Sequence, residues 1–345
     1  MAEKSKIKFP SELRLDPLSD DWVIIAAGRG MRPETFGERK VKKYIPPEKS
    51  CPLCHIDEEK SLLAFSAGRK AETSGVPKNW TTVVIQNKYP ALVSSYALNE
   101  RTEGPHKSMD GVGRHEVVIT RDHRKSLALL SLDKVKEVID AFQERYLDLM
   151  QEPLMNYISV FHNHGVEAGA SIFHPHSQII AAPIIDPDLN RALVNSRKYF
   201  RKHKKCIYCL VSAWDKKDRK RIVFENEEFL VICPFSSKIA FEMIISPKKH
   251  LPYFERISHN EKKYLAEAMH VALRKLYKGL NDPPYNFYLH TAPCDGKNYD
   301  FYHWHWTILP KTSTWAGFEL GAGIEISAIE PERAAEFLRR QSYDL

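Results

Sequence analysis

Two C-x-x-C pairs, CPLC (51 to 54) and CIYC (206 to 209), are each followed by the same succession of features. After the first come TTVVIQNKYPALV (81 to 93), HEVVITRDH (115 to 123), a helical stretch, NYISVFHNHG (156 to 165) and HPHSQIIAAP (174 to 183). After the second come EFLVICPFSSKIAFEMIISPKKH (228 to 250), a helical stretch, NFYLHTAP (286 to 293) and HWHWTILP (303 to 310). Both halves read as strand, strand ending in a histidine, helix, strand, and strand opening on H-x-H. Self-similarity of this kind means that one supersecondary unit is built twice. The expected division is therefore into two related halves, 1–190 and 191–345.

The helical stretches are the clearest local features. In the first, Leu132, Val135, Ile139, Phe142, Tyr146 and Leu149 recur at steps of three or four residues and form an apolar stripe. The second opens with Ser258 and Glu261 in capping-box register, carries Leu265, Met269, Ala272 and Leu276, and stops at NDPP. Each has a polar face and needs a sheet to cover. The fold class is α+β, two repeats of antiparallel strands with helices packed on them.

The cysteines decide what the repeat is for. Four of the six lie in the C-x-x-C pairs, and the N-terminus MAEKSKIKFP lacks an apolar core of signal-peptide length. That argues for a cytoplasmic chain in which such pairs bind metal rather than form a disulfide framework. A thioredoxin-type redox pair competes for either one alone but not for two in parallel contexts. No apolar run approaches membrane-spanning length. The net charge of +7 would attract anions, yet Lys and Arg are spread along the chain. The dense stretches RKYFRKHKK (197 to 205) and DKKDRKR (215 to 221) read as a polar connection between the halves. A zinc-stabilised nucleic-acid-binding protein would need the two pairs much closer in sequence and its aromatics grouped in a basic stripe. No nucleic-acid partner is expected.

A structural zinc site takes four Cys or His ligands in a tetrahedron, and a C-x-x-C turn supplies two of them. Cys51 and Cys54 would be completed by His123 and His174, and Cys206 and Cys209 by His250 and His303. In FHPHSQ, a strand would turn His174, His176 and Gln178 to one face. With His174 on metal, His176 is left free. A histidine attacks phosphorus when one ring nitrogen is bare and the other is held by a fixed acceptor, for which a nearby carbonyl in this rigid segment would serve. Gln178 can hydrogen-bond phosphoryl oxygens without titrating. The upstream GVEAGAS (165 to 171) can bring backbone N–H groups to phosphate.

These residues resemble the galactose-1-phosphate uridylyltransferase family of the histidine triad superfamily. The resemblance runs from LRLDPLSDDWVIIAAGRGMRP (13 to 33) through CPLC, Asn87 of VVIQNKYPAL, NHGVEAGAS, HPHSQ, SPKKH and HWHW to GFELGAG (317 to 323). It implies His176 as nucleophile and zinc at Cys51, Cys54, His123 and His174. It further implies that Asn87, Asn163, Gly169, Ser171 and Gln178 hold the nucleotide and its phosphates, and that Glu319 touches the sugar. Triad hydrolases carry a third histidine where this chain has Gln178, and transfer to a second sugar phosphate goes with glutamine. The implied reaction is ping-pong transfer of UMP from UDP-glucose to galactose 1-phosphate, in a homodimer working in galactose metabolism. ADP-glucose phosphorylase is the rival within the same chemistry, its members tending to have serine where this chain has Pro175. Phe318 stands where a tyrosine is common among the uridylyltransferases. His305 falls where His176 does in the repeat, but Thr307 replaces the glutamine, so the second half reads as catalytically silent.

Overall fold

The computed structural model describes residues 11–27, 36, 45–72 and 75–343. The family-like stretch 13–33 lies outside the described residues from position 28 on. A hairpin of β1 (Glu12–Leu15) and β2 (Trp22–Ile25) precedes the first repeat. Next come β3 (Ser61–Ser66), β4 (Arg69–Lys70), β5 (Thr82–Gln86), an exposed hairpin of β6 (Arg101–Glu103) and β7 (His106–Ser108), and β8 (Arg114–Thr120). Helix α1 (Leu132–Leu149), β9 (Tyr157–His164) and β10 (His176–Ala182) complete it. Helices α2 (Pro187–His203) and α3 (Ile207–Asp218) lead to β11 (Ile222–Glu225), β12 (Phe229–Ile232), β13 (Met243–Pro247), α4 (His259–Leu280), β14 (Tyr285–His290) and β15 (His305–Pro310). Then follow α5 (Gly317–Ala322), β16 (Ile326–Ser327), which pairs with β2, and α6 (Pro331–Arg340).

The halves do not build separate sheets. They share one of 11 strands, whose order from the middle pair outward is β9, β10, β8, β5, β3, β4 on one side and β14, β15, β13, β12, β11 on the other. Every ladder in it is antiparallel. The repeat read from the sequence is thus a matching strand order about the β9–β14 pair, where Asn163 lies opposite Asn286.

Helices α1 and α4 cover one face. Both form as their apolar stripes require, and α4 starts with the expected capping box between Ser258 and Glu261. Under them lies the main core, which includes Phe142, Tyr146, Leu265, Met269, Phe287 and Trp306, each side chain contributing about 1.5–3 kcal/mol by burial. Strand alternation sorts the remaining residues. Val84, Val118, Ile158, Ile179, Phe287 and Trp306 face the helices, so their chain neighbours face away. On that second face, Val83, Ile85, Val117 and Ile119 pack beneath the Cys51–Cys54 loop. The centre of the same face receives His176, Gln178, Asn163, Asn286, His305 and Thr307.

The basic stretches at 197–205 and 215–221 differ from their reading as a plain polar connection. They lie largely within α2 and α3, whose Leu189, Leu193, Ile207 and Tyr208 join a second apolar cluster. Solvent-facing helix surfaces tolerate long charged side chains, so the charge density marked a helix face and not a loop. Among the described residues, no helix is long and apolar enough to cross a membrane.

Candidate functional site

Four donors converge in each half: Cys51, Cys54, His123 and His174 in the first, Cys206, Cys209, His250 and His303 in the second, all within 4.8 Å of one another. The Cys54 sulfur is 3.3 Å from Nδ1 of both His123 and His174, and the two Nδ1 atoms are 3.4 Å apart. Cys209 Sγ lies 3.4 Å and 3.5 Å from Nδ1 of His250 and His303. A zinc ion with Zn–S of about 2.3 Å and Zn–N of about 2.0–2.1 Å would set a thiolate and an imidazole about 3.5 Å apart, and two imidazoles about 3.4 Å apart.

The outer side of each ring argues the same way. His123 Nε2–H donates to Pro46 O at 2.8 Å, and His174 Nε2–H to Thr120 O at 2.7 Å. His250 Nε2–H donates to Asp300 O at 2.8 Å, and His303 Nε2–H to Pro247 O at 2.9 Å. A carbonyl can only accept, so each Nε2 carries the proton and each Nδ1 turns a lone pair inward, as metal-ligating histidines are held. The residues fit two metal ions. None of the six cysteines is in a disulfide.

His174 and His176 do not share a face as the strand reading of FHPHSQ expected. The strand begins at His176, and His174 sits in the bend before it. Pro175 has no N–H to offer a ladder, and the His174 ring is drawn to Thr120 O and the cysteines. Its backbone carbonyl accepts from His176 Nδ1 at 2.8 Å. Nδ1 therefore holds the proton, and Nε2 is bare. Burial pushes the His176 pKa below the ordinary histidine value, and the carbonyl contact opposes this only in part. Gln178 follows two residues on, about 7 Å further along the same face.

Between β9 and β10 the chain turns on Gly165 (φ 83°) and Gly169 (φ 85°), the left-handed region that favours glycine. A Cβ at Gly165 would lie 2.9 Å from Pro284 Cβ. This turn is tied down by Asn286, whose amide NH2 donates to Asn163 Oδ1 and to Ala168 O, each at 2.8 Å. A cavity of about 680 Å³ opens there, lined by Arg124, Asn163, His164, Gly165, Ser171 and His174 among others. Asn163 also lines a second cavity of about 450 Å³ that reaches His305 and Thr307.

His305 repeats the His176 arrangement: it opens β15, and its Nδ1 donates to His303 O at 3.3 Å. Unlike His176 it is buried and stacked on His290 at 4.7 Å. Burial, then the neighbouring His290, holds its pKa well below the usual value.

Most of the expected residues thus gather on one face. Asn87 approaches Gln178 through His115, Ser171 and Gly169 belong to the glycine turn, and Glu319 stands apart. Glu319 lies in α5, where its carboxylate accepts from Ala316 N–H at 3.0 Å; like His176, Gln178 and Asn87, it is not among the residues lining either cavity. Two residues escaped the sequence reading. His115 Nε2 is 2.8 Å from Gln178 Oε1 and 3.1 Å from Asn87 Nδ2; it opens HEVVITRDH, a stretch valued only for its closing histidine. Asn286 opens NFYLHTAP, and a polar residue near the start of an otherwise apolar strand was the signal.

The family model for the galactose-1-phosphate uridyl transferase N-terminal domain matches residues 1–186, and that for the C-terminal domain matches residues 193–341. The chain is 33% identical over 340 residues to the ADP-glucose phosphorylase of Arabidopsis thaliana, covering 96% of this chain and 93% of that one. It is 30% identical over 344 residues to the galactose-1-phosphate uridylyltransferase of Thermotoga maritima, covering 97% and 99%. The crystal structure of an Arabidopsis thaliana ADP-glucose phosphorylase with bound ADP-glucose superposes with a TM-score of 0.79 at 30% identity, covering 96% of this chain and 99% of that one.

Proposed function

Because this chain belongs to the galactose-1-phosphate uridylyltransferase family, we propose that it is a UDP-glucose–hexose-1-phosphate uridylyltransferase that carries UMP on His176. The observation that supports this most is the bare Nε2 of His176, produced by the Nδ1 contact to His174 O at 2.8 Å. UDP-glucose binds with its phosphates at the turn of Gly169 and Ser171. His176 Nε2 attacks the α-phosphorus, an N–P bond forms, the P–O bond to the bridging oxygen breaks, and glucose 1-phosphate leaves with the electron pair. A phosphate oxygen of galactose 1-phosphate then attacks the same phosphorus, breaking N–P and forming UDP-galactose. Splitting the displacement in this way predicts ping-pong kinetics.

The remaining roles are assigned within the same reading. Gln178, Asn163 and Asn87 present amide donors to the nucleotide and its phosphoryl oxygens, and Glu319 serves the sugar. Zinc is the ion assigned to both Cys2His2 groups; when bound it supplies structure, not a reacting atom. The repeats divide as 1–190 and 191–345, and only the first is catalytic. The enzyme acts in the cytoplasm as a homodimer, in galactose metabolism.

A second reading, adenylyl transfer in the manner of an ADP-glucose phosphorylase, is favoured by the 33% identity to the Arabidopsis thaliana protein. One experiment separates the two. The protein is given UDP-glucose or ADP-glucose labelled at the α-phosphate, first alone and then with galactose 1-phosphate or inorganic phosphate. Label from UDP-glucose should remain on the protein, acid-labile and base-stable, and should be discharged by galactose 1-phosphate. Label from ADP-glucose discharged only by inorganic phosphate would replace the first reading with the second, and no label from either would end both.

Gln178 controls the branch between transfer and hydrolysis. Gln178→His should slow transfer about tenfold or more, as loss of a positioned donor does, and raise the share of intermediate lost to water. Unchanged partitioning, measured as free UMP against UDP-galactose, would remove Gln178 from that role.

A further inference from the structure

We propose that His115 is a positioning residue that fixes which end of the Gln178 carboxamide meets the phosphoryl group. The inference rests on the reading of His176 as nucleophile and of Gln178 as the donor beside it. A carboxamide has an acceptor end and a donor end of nearly the same shape, and a phosphoryl group offers only acceptors. If Gln178 turned its oxygen outward it would set a partial negative charge against an anion. Something must hold the amide the right way round.

His115 is aimed at this task by the strand that carries it. The next residue on β8, Glu116, is buried against α1, where Arg145 Nε and Nη2 donate to its two oxygens at 2.8 and 2.7 Å. This bidentate pair fixes the register of β8 against the helix, and alternation then turns His115 to the opposite face. There it stands diagonal to Gln178, because Gln178 is opposite Val117 and Ile180 is opposite His115.

The tautomer of His115 follows from a donor that cannot change. Ala91 backbone N–H donates to His115 Nδ1 at 3.1 Å, so Nδ1 must be bare and Nε2 must carry the proton. Nε2–H then donates to Gln178 Oε1 at 2.8 Å, which leaves the Gln178 NH2 as the end available to a ligand. Asn87 is oriented separately, its oxygen accepting from Tyr89 N–H at 2.9 Å.

Delivery of the Ala91 N–H depends on a close approach. Val93 N–H donates to Gly111 O and Gly113 N–H to Val93 O, at 3.0 and 2.9 Å, which draws the 91–93 segment onto the start of β8. A Cβ at Gly113 would lie 2.3 Å from Ala181 O and 2.6 Å from Leu92 Cδ1, so this packing needs glycine.

A double-mutant cycle on the full chain tests the inference, using His115→Phe, Gln178→Ala and both together, with UDP-glucose and galactose 1-phosphate as substrates. His115→Phe should lower kcat about 10- to 100-fold, change KM for the donor less than about threefold, and raise the hydrolysed share of the intermediate. Added to Gln178→Ala it should cost less than about threefold more, since a group acting through another loses its effect when that other is gone. His115→Gln, which can both donate and accept, should recover most of the rate. Full additivity of the two losses would overturn the inference, as would a loss that follows metal content and Tm and is not relieved in His115→Gln. Should His115→Phe fail to fold, His115→Asn, too short to bridge Ala91 and Gln178, takes its place in the cycle. If Gln178→Ala alone leaves kcat unchanged, the parent reading of Gln178 has failed. A normal loss in Gln178→Ala with additive His115→Phe fails the inference alone.

Discussion

His176→Ala should reduce transfer by at least ~10⁴-fold, equivalent to about 5.4 kcal/mol of transition-state stabilisation, and should leave no label on the protein from α-labelled donor. The protein should stay folded and keep its metal. His176 is half-buried, its ring makes one hydrogen bond among the described residues, to His174 O, and it contributes no donor atom to the Cys51, Cys54, His123, His174 group. Removing it costs one hydrogen bond and part of one side chain's burial, effects of about 1–3 kcal/mol that a folded chain of this size can absorb. The separation of a large kinetic loss from a small structural one is what identifies a nucleophile. Rapid labelling of the variant, or formation of glucose 1-phosphate only after both substrates are bound, would show that the group is carried elsewhere or not at all.

The second large effect is expected at the metal groups. Cys51→Ala together with Cys54→Ala should remove one of two bound ions and more than about 4 kcal/mol of stability, since the free energy of binding a structural ion contributes to folding. Cys51 and Leu53 belong to the apolar cluster with Val83, Ile85, Val117 and Ile119, so the loop and the β5–β8 part of the sheet should loosen together. Cys206→Ala with Cys209→Ala should remove the other ion and loosen α3 and its cluster instead, because Cys206 is the N-cap of α3 and packs with Leu189, Leu193 and Tyr302. The two double variants should differ in activity at a temperature where both remain folded. The first disturbs His174, whose carbonyl fixes the His176 tautomer; the second leaves the His174–His176 contact in place. Metal content by elemental analysis and Tm by calorimetry provide the check. Full metal retention in the first variant would overturn the assignment of that group.

Much of this arrangement was legible along the chain because it is periodic or local. The apolar stripes of residues 132–149 and 258–280 gave both covering helices, and Ser258 with Glu261 marked where the second begins. The eight Cys and His donors were found because the same order of residue types occurs twice, and chance does not readily supply that. His176 was separable from His174 because the repeat pairs the first histidine of each H-x-H with a C-x-x-C, and the family resemblance makes the second one the nucleophile.

Other features were settled by contacts between segments far apart in sequence. That the halves merge into one sheet depends on β9 pairing with β14, residues 157–164 against 285–290, and nothing in either strand names its partner. The charge-dense stretches at 197–205 and 215–221 look alike whether they line a loop or a helix surface; burial of Leu193 and Tyr208 decided for helix.

Residue identity and spacing along the chain were enough to determine the repeat and the ligand types, because these depend on which donors exist and how often they recur; the family of chemistry came from the resemblance that the motifs carry. Orientation was beyond it. Which ring nitrogen of His176 is bare is fixed by a carbonyl two residues away, and which end of Gln178 is held by His115 is fixed by a backbone N–H at Ala91, 24 positions from His115. Hydrogen-bond direction depends on the partner that folding brings within about 3 Å, and only the tertiary structure supplies that partner.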